Sequence, residues 1–337
     1  MKALLPLSWL YGAAIATRNR YYDAVEPKKL PVPVVSVGNL TVGGSGKTPL
    51  VAAIARMLLA REVPVAVVSR GYGREGNAPF VLVSDGKQLL VSAREGGDEP
   101  VELAARIPGL VVAVGADRFV TGKTLLDELG EHVIVLDDGF QHRRLARDLD
   151  LVCFDCSEPA SSLALLPAGR LREPIANLGR ADGVVLTRWS ESCVAPDIGA
   201  LGGVSDVAVI RAVSRLEGFT RLDVPAQRLD ADAFRGERLG VAVGIARPER
   251  VRESLGSARD IVHFVARRDH HRWRESELRE IAEAAKAKGA TSLLTTGKDS
   301  VKMLLPSSMP LPVYRIDVET EILDLETFET LLAFPPL

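Results

Sequence analysis

Two hydrophobic periods alternate along this chain. Runs that are apolar at nearly every position lie between stretches with helical spacing. These runs are VPVVSVGN (32–39), VPVAVVSRG (63–71), GLVVAVG (109–115), HVIVLDD (132–138), LDLVCFD (149–155) and ADGVVLTR (181–188). A strand that is apolar on both sides has no solvent face, so each run predicts a strand inside a parallel sheet covered by helices. Thr48–Glu62 predicts a helix directly after the first strand. After about residue 210 a second series follows, with strands in RLGVAVGIA, RDIVHFVAR and TSLLTTG and a helix in ESELREIAEAAKAKG. The fold class expected is α/β, a mostly parallel sheet flanked by helices with a second, smaller α/β domain. The expected units are residues 26–210 and 211–337, joined near Asp206–Gly218, with a separate helix in residues 1–25. No internal repeat or low-complexity segment interrupts this order.

The N-terminal segment MKALLPLSWLYGAAIATRNRYYD departs from the pattern. Its apolar stretch, Ala3–Thr17, is shorter than the ~20 residues that cross a bilayer, and Pro6 and Gly12 interrupt it. A secretory signal is one reading, but only Lys2 precedes the apolar part, while Arg18 and Arg20 follow it, which weighs against it. Trp9, Tyr11, Tyr21 and Tyr22 suit a headgroup boundary, and Lys28 and Lys29 add positive charge nearby. Two readings stand on spacing alone: a helix packed on the protein's own core, or an interfacial helix lying on a membrane.

Composition narrows the class without changing the fold. The 337 residues are 47% hydrophobic and 26% charged with a net charge of −2, values of a globular enzyme rather than a multi-pass membrane protein. No basic field recruits nucleic acid, and no obligate protein partner is evident. Three cysteines give no disulfide framework, and Cys153 and Cys156 form a lone CxxC with no second pair for zinc, so a reducing compartment is expected.

The candidate chemistry begins at TVGGSGKTP. Gly43, Gly44 and Gly46 allow backbone amides to turn inward around phosphates, and Lys47 reaches the β and γ oxygens. The Thr48 hydroxyl ligates Mg²⁺. Thr41 stands where the standard pattern has glycine. Thr41, Val42, Gly43, Gly44, Ser45, Gly46, Lys47 and Thr48 are the expected nucleotide-binding residues of a P-loop, with ATP and Mg²⁺ as cofactors. At the end of HVIVLDD, Asp137 or Asp138 is placed to orient the metal. Gln141 can orient a phosphate or a water, and His142 serves equally as a turn residue. Arg70, Tyr72, Arg170 and Arg172 are candidates for phosphate or sugar recognition. Glu173 belongs to the metal shell or pairs with an arginine. A soluble P-loop GTPase or metal-insertion chaperone would share the nucleotide loop, but no N-K-x-D or Cys/His cluster is present. A nucleotide-switched, non-enzymatic lipid-binding or scaffold protein is the other alternative.

An ordered series of segments resembles the tetraacyldisaccharide 4′-kinase (lipid A 4′-kinase) family over nearly the whole length. The segments are LPLSWLYG, VVSVGNLTVGGSGKTP, SRGYGR, GDEP, VLDDGFQHRRLARDLDL, LLPAGRLREP, DHH and TTGKDSVK. The family loop also carries Thr at the position of Thr41. The resemblance implies transfer of the γ-phosphoryl of ATP to the 4′-hydroxyl of a tetraacylated glucosamine disaccharide 1-phosphate. It also implies a peripheral N-terminal helix and a location on the cytoplasmic face of the bacterial inner membrane. In GDEP, outside any regular element, it assigns Asp98 to general-base catalysis, with Glu99 beside it at the substrate. A His of DHH assists the base: His270, with His271 as the fallback. Lys298 and Asp299 of TTGKD belong to the resemblance but take no role from it.

Overall fold

The computed structural model describes residues 4–158, 163–193 and 207–334. Lys2, Ala3 and Asp206, which entered the expectations above, lie outside the described residues. Helix α1 (Leu5–Asp23) precedes β1 (Val34–Asn39), α2 (Lys47–Ala60), β2 (Val65–Ser69) and β3 (Val81–Asp85). Helices α3 (Ala93–Gly96) and α4 (Asp98–Arg106), strand β4 (Val111–Val114), helix α5 (Arg118–Leu129) and strands β5 (Val133–Asp137), β6 (Leu149–Asp155) and β7 (Gly183–Thr187) follow. Every position of β1, β2, β4, β5 and β7 is buried, as runs without a polar face require. Strands β7, β6, β1, β5, β2 and β4 lie side by side in parallel, and β3 closes the edge antiparallel to β4. One face packs on α2 and α4 through Leu50, Ile54, Leu58, Val101 and Leu103. The other packs on α5 and its neighbours through Leu125, Leu30 and Leu145.

The second unit adds β9 (Arg228–Asp230), β10 (Arg238–Val243), α6 (Glu249–Leu255), β11 (Asp260–Ala266), α7 (Glu275–Ala287), β12 (Ser292–Thr296), α8 (Gly297–Ser300), β13 (Val313–Ile322) and α9 (Leu325–Leu331), after a long strand β8 (Ala208–Arg221). The boundary expected at 210–211 falls inside β8, close to where that strand changes partner. Its first residues pair in parallel with β7, and Ala212–Arg221 pair antiparallel with β13. The two units thus share one hydrogen-bonded sheet. Helix α9 belongs by sequence to the second unit, yet Phe328 and Leu332 pack into the first unit's core.

The helix expected in residues 1–25 accommodates Pro6 and Gly12: Pro6 sits in its first turn, where no amide partner is lost, and Gly12 lies close against Leu165. One local expectation is corrected. Cys156 does not belong to a CxxC site; it is disulfide-bonded to Cys193. The pairing was hidden because its partner is distant in sequence, and it removes the cysteine argument for a reducing compartment. Cys153 is buried, and burial pushes its thiol up to about 12, which leaves it inert.

Candidate active site

The loop between β1 and α2 is held from outside by side chains that take its carbonyls. Arg170 donates to the Val42 carbonyl at 2.6 Å, and Arg188 and Arg250 donate to the Gly44 carbonyl at 2.7 and 2.8 Å. Thr187 Oγ1 donates to the Ser45 carbonyl at 2.8 Å. With the carbonyls engaged outward, the amides are left for an anion at the N-terminus of α2. Gly43 has φ +106° and its missing Cβ would collide with Arg170, so glycine is required there. Thr41 is not at positive φ. It sits in a bridge with Leu171, where glycine has no advantage, which explains the departure from the usual pattern. Lys47 Nζ donates to Asn39 Oδ1 at 3.1 Å and lies 3.5 Å from Asp138.

The metal side of the site separates the two adjacent carboxylates. Thr48 Oγ1 donates to Asp137 Oδ2 at 3.3 Å, while Asp137 Oδ1 is buried with no hydrogen-bond partner. Burial, and then the charge of Glu99, push Asp137 up to about 7. A buried, orphaned carboxylate oxygen beside a threonine hydroxyl fits a divalent cation. Asp138 is engaged differently: Arg172 binds both its oxygens at 3.1 and 3.0 Å. Against the effect of burial, Lys47 and Arg172 hold it below the usual carboxylate range.

Asp98 and Glu99 are not in a loop, as the Gly-rich GDEP segment suggested. They open helix α4, with Gly97 ahead of them at φ +89° packed on the backbone of Gly71. Asp98 Oδ2 lies 2.9 Å from His270 Nδ1, joining residues 172 apart in sequence. The neighbouring His271 instead binds Glu277 at 2.8 Å and packs on Trp273, so the geometry selects His270. Tyr72 is exposed, with its ring 5.5 Å from that of His270. Glu99 receives Lys298 Nζ at 3.3 Å.

Other candidates stand elsewhere. Gln141 donates to the Asn39 carbonyl at 2.8 Å and so braces the strand that enters the loop. Arg170 binds both oxygens of Glu158 at 2.8 and 2.9 Å, besides the loop carbonyl, so it is a strut beneath the cradle rather than a free substrate contact. Glu173 is fully buried and accepts from Arg18 at 2.6 Å and from Asn177 and Arg180 at 2.7 Å. Of the two alternatives for Glu173 the structure therefore favours pairing with arginine over the metal shell: three donors engage its two oxygens, and it anchors α1. Arg70 is exposed and makes no hydrogen bond among the described residues. His142 accepts the Arg118 amide with Nε2 at 3.3 Å and so caps α5. Sequence reasoning missed Asn39, Thr187, Arg188, Arg250 and Lys302. Only Asn39, a polar residue ending an otherwise apolar run, carried a signal.

The remaining face of α1 is a second element of the site. Ser8 Oγ bonds the Leu165 carbonyl and the Ala168 amide, Tyr11 donates to the Arg172 carbonyl at 2.8 Å, and Arg18 reaches Glu173. Leu7, Trp9 and Leu10 point away, Trp9 at 77% and Leu10 at 70% exposure. The core-packed reading thus fits one face of α1, while the opposite face carries exposed apolar side chains. No helix among the described residues is long and apolar enough to cross a membrane.

Comparison with known proteins converges on one family. The family model for tetraacyldisaccharide-1-P 4′-kinase matches residues 1–334. The tetraacyldisaccharide 4′-kinase of Geobacter sulfurreducens is 42% identical over 327 residues, covering 96% of this chain and 90% of that protein. That of Syntrophus aciditrophicus is 39% identical over 338 residues, with 96% and 90% covered. A crystal structure of the Aquifex aeolicus member in complex with ATP superposes with a TM-score of 0.79 at 31% identity, covering 98% of both chains. The phosphate cradle, the adjacent carboxylates and the Asp–His pair thus stand in a chain that belongs to the tetraacyldisaccharide-1-phosphate 4′-kinase family.

Proposed function

We infer that this chain is an ATP-dependent kinase of lipid A biosynthesis. It phosphorylates the 4′-hydroxyl of a tetraacylated glucosamine disaccharide 1-phosphate, with Asp98 as the base. The observation that carries the base assignment is the 2.9 Å contact of Asp98 with His270, at the N-terminus of a helix whose next residue, Glu99, acts electrostatically on Asp137. The amides of Gly43–Thr48 bind the phosphates, and Lys47 neutralises charge on the group in transfer. Thr48 and Asp137 would hold Mg²⁺, which supplies charge neutralisation at the phosphates when bound. Asp98 accepts the proton of the 4′-hydroxyl as that oxygen bonds to the γ-phosphorus. The bond from phosphorus to the bridging oxygen breaks, and its electron pair leaves with ADP. His270 orients the carboxylate. Arg70 and Tyr72, both exposed, the latter beside His270, take the disaccharide or its phosphate.

The exposed apolar face of α1 supports a peripheral position on an anionic membrane, where the acylated acceptor resides; the cytoplasmic face of the inner membrane is the surface we assign. The test is transfer of labelled γ-phosphate from ATP to the tetraacylated disaccharide in mixed micelles. A labelled bisphosphate lipid is expected. Nucleotide hydrolysis without lipid labelling, or a preference for GTP, would overturn the reading in favour of a switch protein.

A further inference from the structure

The TTGKDSVK segment, without a role so far, lies against the base. Lys302 is nearly fully buried, with its side chain 6% exposed. Its ammonium stands 3.1 Å from Asp98 Oδ2 and 3.4 Å from Asp299 Oδ1, and it makes no well-aligned hydrogen bond. A desolvated ammonium is costly unless opposite charges compensate it, and here the compensation is divided between these two carboxylates. Asp299 is itself immobilised. It is fully buried and accepts from the Gly244 amide at 2.9 Å, Trp273 Nε1 at 3.0 Å and Thr296 Oγ1 at 2.7 Å. The same Thr296 accepts the Asp299 amide at the start of α8. Lys298, one turn away, donates to Asp269 at 3.0 Å and lies 3.5 Å from His270 Nε2. Against the effect of burial, Glu99 and Asp269 push Lys298 up, so it remains a cation.

We propose that Lys302 is a positioning residue for the phosphoryl-transfer base, fixing Asp98 through Oδ2 so that Oδ1 is the oxygen that takes the acceptor proton. This rests on the reading of Asp98 as base. Oδ2 is bracketed by the Lys302 ammonium and His270 Nδ1, whereas Oδ1 makes no hydrogen bond among the described residues. A carboxylate on a single χ2 torsion otherwise exchanges its two oxygens freely. Two charged or polar contacts on one oxygen remove that freedom and present the other in one direction. The rigid frame of Trp273, Gly244 and Thr296 reaches Asp98 through Asp299 and then Lys302. The second unit thereby sets the aim of a base carried by the first.

The test is a kinetic cycle of Lys302→Met, Asp98→Ala and the double variant, with thermal melting of each. Lys302→Met is expected to lower kcat by roughly 10–100-fold while KM for ATP stays within about twofold, because orientation of the base matters only during transfer. In the Asp98→Ala background the same change is expected to cost less than about threefold, since there is no carboxylate left to aim. Equal losses in both backgrounds would make Lys302 a structural residue and overturn the proposal, as would a wild-type kcat in Lys302→Met. Lys302→Gln, neutral but still able to donate, repeats the comparison if the Met variant does not fold; failure of both to fold also assigns a structural role. Wild-type turnover in Asp98→Ala would instead overturn the base reading itself, which separates the two failures.

Discussion

At the scale of single residues, what decides function is which partner each charge has. Lys47 is held between Asn39 and Asp138; on its proposed role at the phosphates, Lys47→Ala is expected to lower kcat by at least ~10²-fold with an unchanged melting temperature. Near-normal turnover would remove the cradle as the catalytic nucleotide site. The shape of the loop was legible in the sequence because its geometry is local: glycines, lysine and threonine stand in one contiguous turn. Asp98 with His270 was legible only through resemblance, since nothing in either segment reveals a partner 172 residues away. Arg170 was misjudged, and Glu173 left between two readings, for a related reason. A sequence shows that a side chain is charged but not that buried neighbours have already claimed it. Lys302 was invisible by the same logic.

At the scale of elements, strands without a polar face announced themselves and mixed ones did not. Strands β8 and β13 interleave buried and exposed positions irregularly, and β3 is a half-exposed edge, so none has an all-apolar run like those of β1, β2, β4, β5 and β7. Helix α4 was concealed by the glycine and proline of GDEP, both acceptable at a first turn. Helix α5 starts at an Asp117 cap with a histidine beside it. His142 Nε2 accepts an amide, and burial, then the Arg118 charge, push it down from 6.5 to about 4. The unfolded chain takes up that proton first, so stability is intact above about pH 6.5 and declines as pH falls towards 4. The loss is on the order of 1–3 kcal/mol. Urea midpoints across this range should fall in the wild type and fall less in His142→Gln; parallel profiles would contradict the assignment. For α1, Trp9→Ser with Leu10→Ser removes exposed apolar surface while sparing Ser8, Tyr11 and Arg18. Partitioning onto anionic vesicles should weaken by at least about tenfold with no change in melting. Unchanged partitioning would leave α1 as a docking helix only. Truncating the helix is a poorer test, because losing Arg18 deprives buried Glu173 of a countercharge.

At the scale of the whole molecule, the site is assembled from both units. Arg250 braces the phosphate loop, His270 and Lys302 meet Asp98, and Lys298 meets Glu99. If Asp98 and His270 act as one unit, Asp98→Ala should lower kcat strongly and His270→Ala less. The double variant should be scarcely worse than Asp98→Ala. Losses that multiply would separate the two, and a defect in His271→Ala alone would move the partnership one residue along. The sharing of β8 and the return of α9 carry a consequence for how the protein is made. Phe328 and Leu332 close a core whose other walls are β1, α2 and α4. During synthesis those walls emerge early and wait, with an unfinished apolar face, until the distal helix is translated and swings back. The nascent first half is therefore the stage at which the chain most needs protection from aggregation. The phosphate cradle, among the first parts to leave the ribosome, is among the last to rest on a finished foundation.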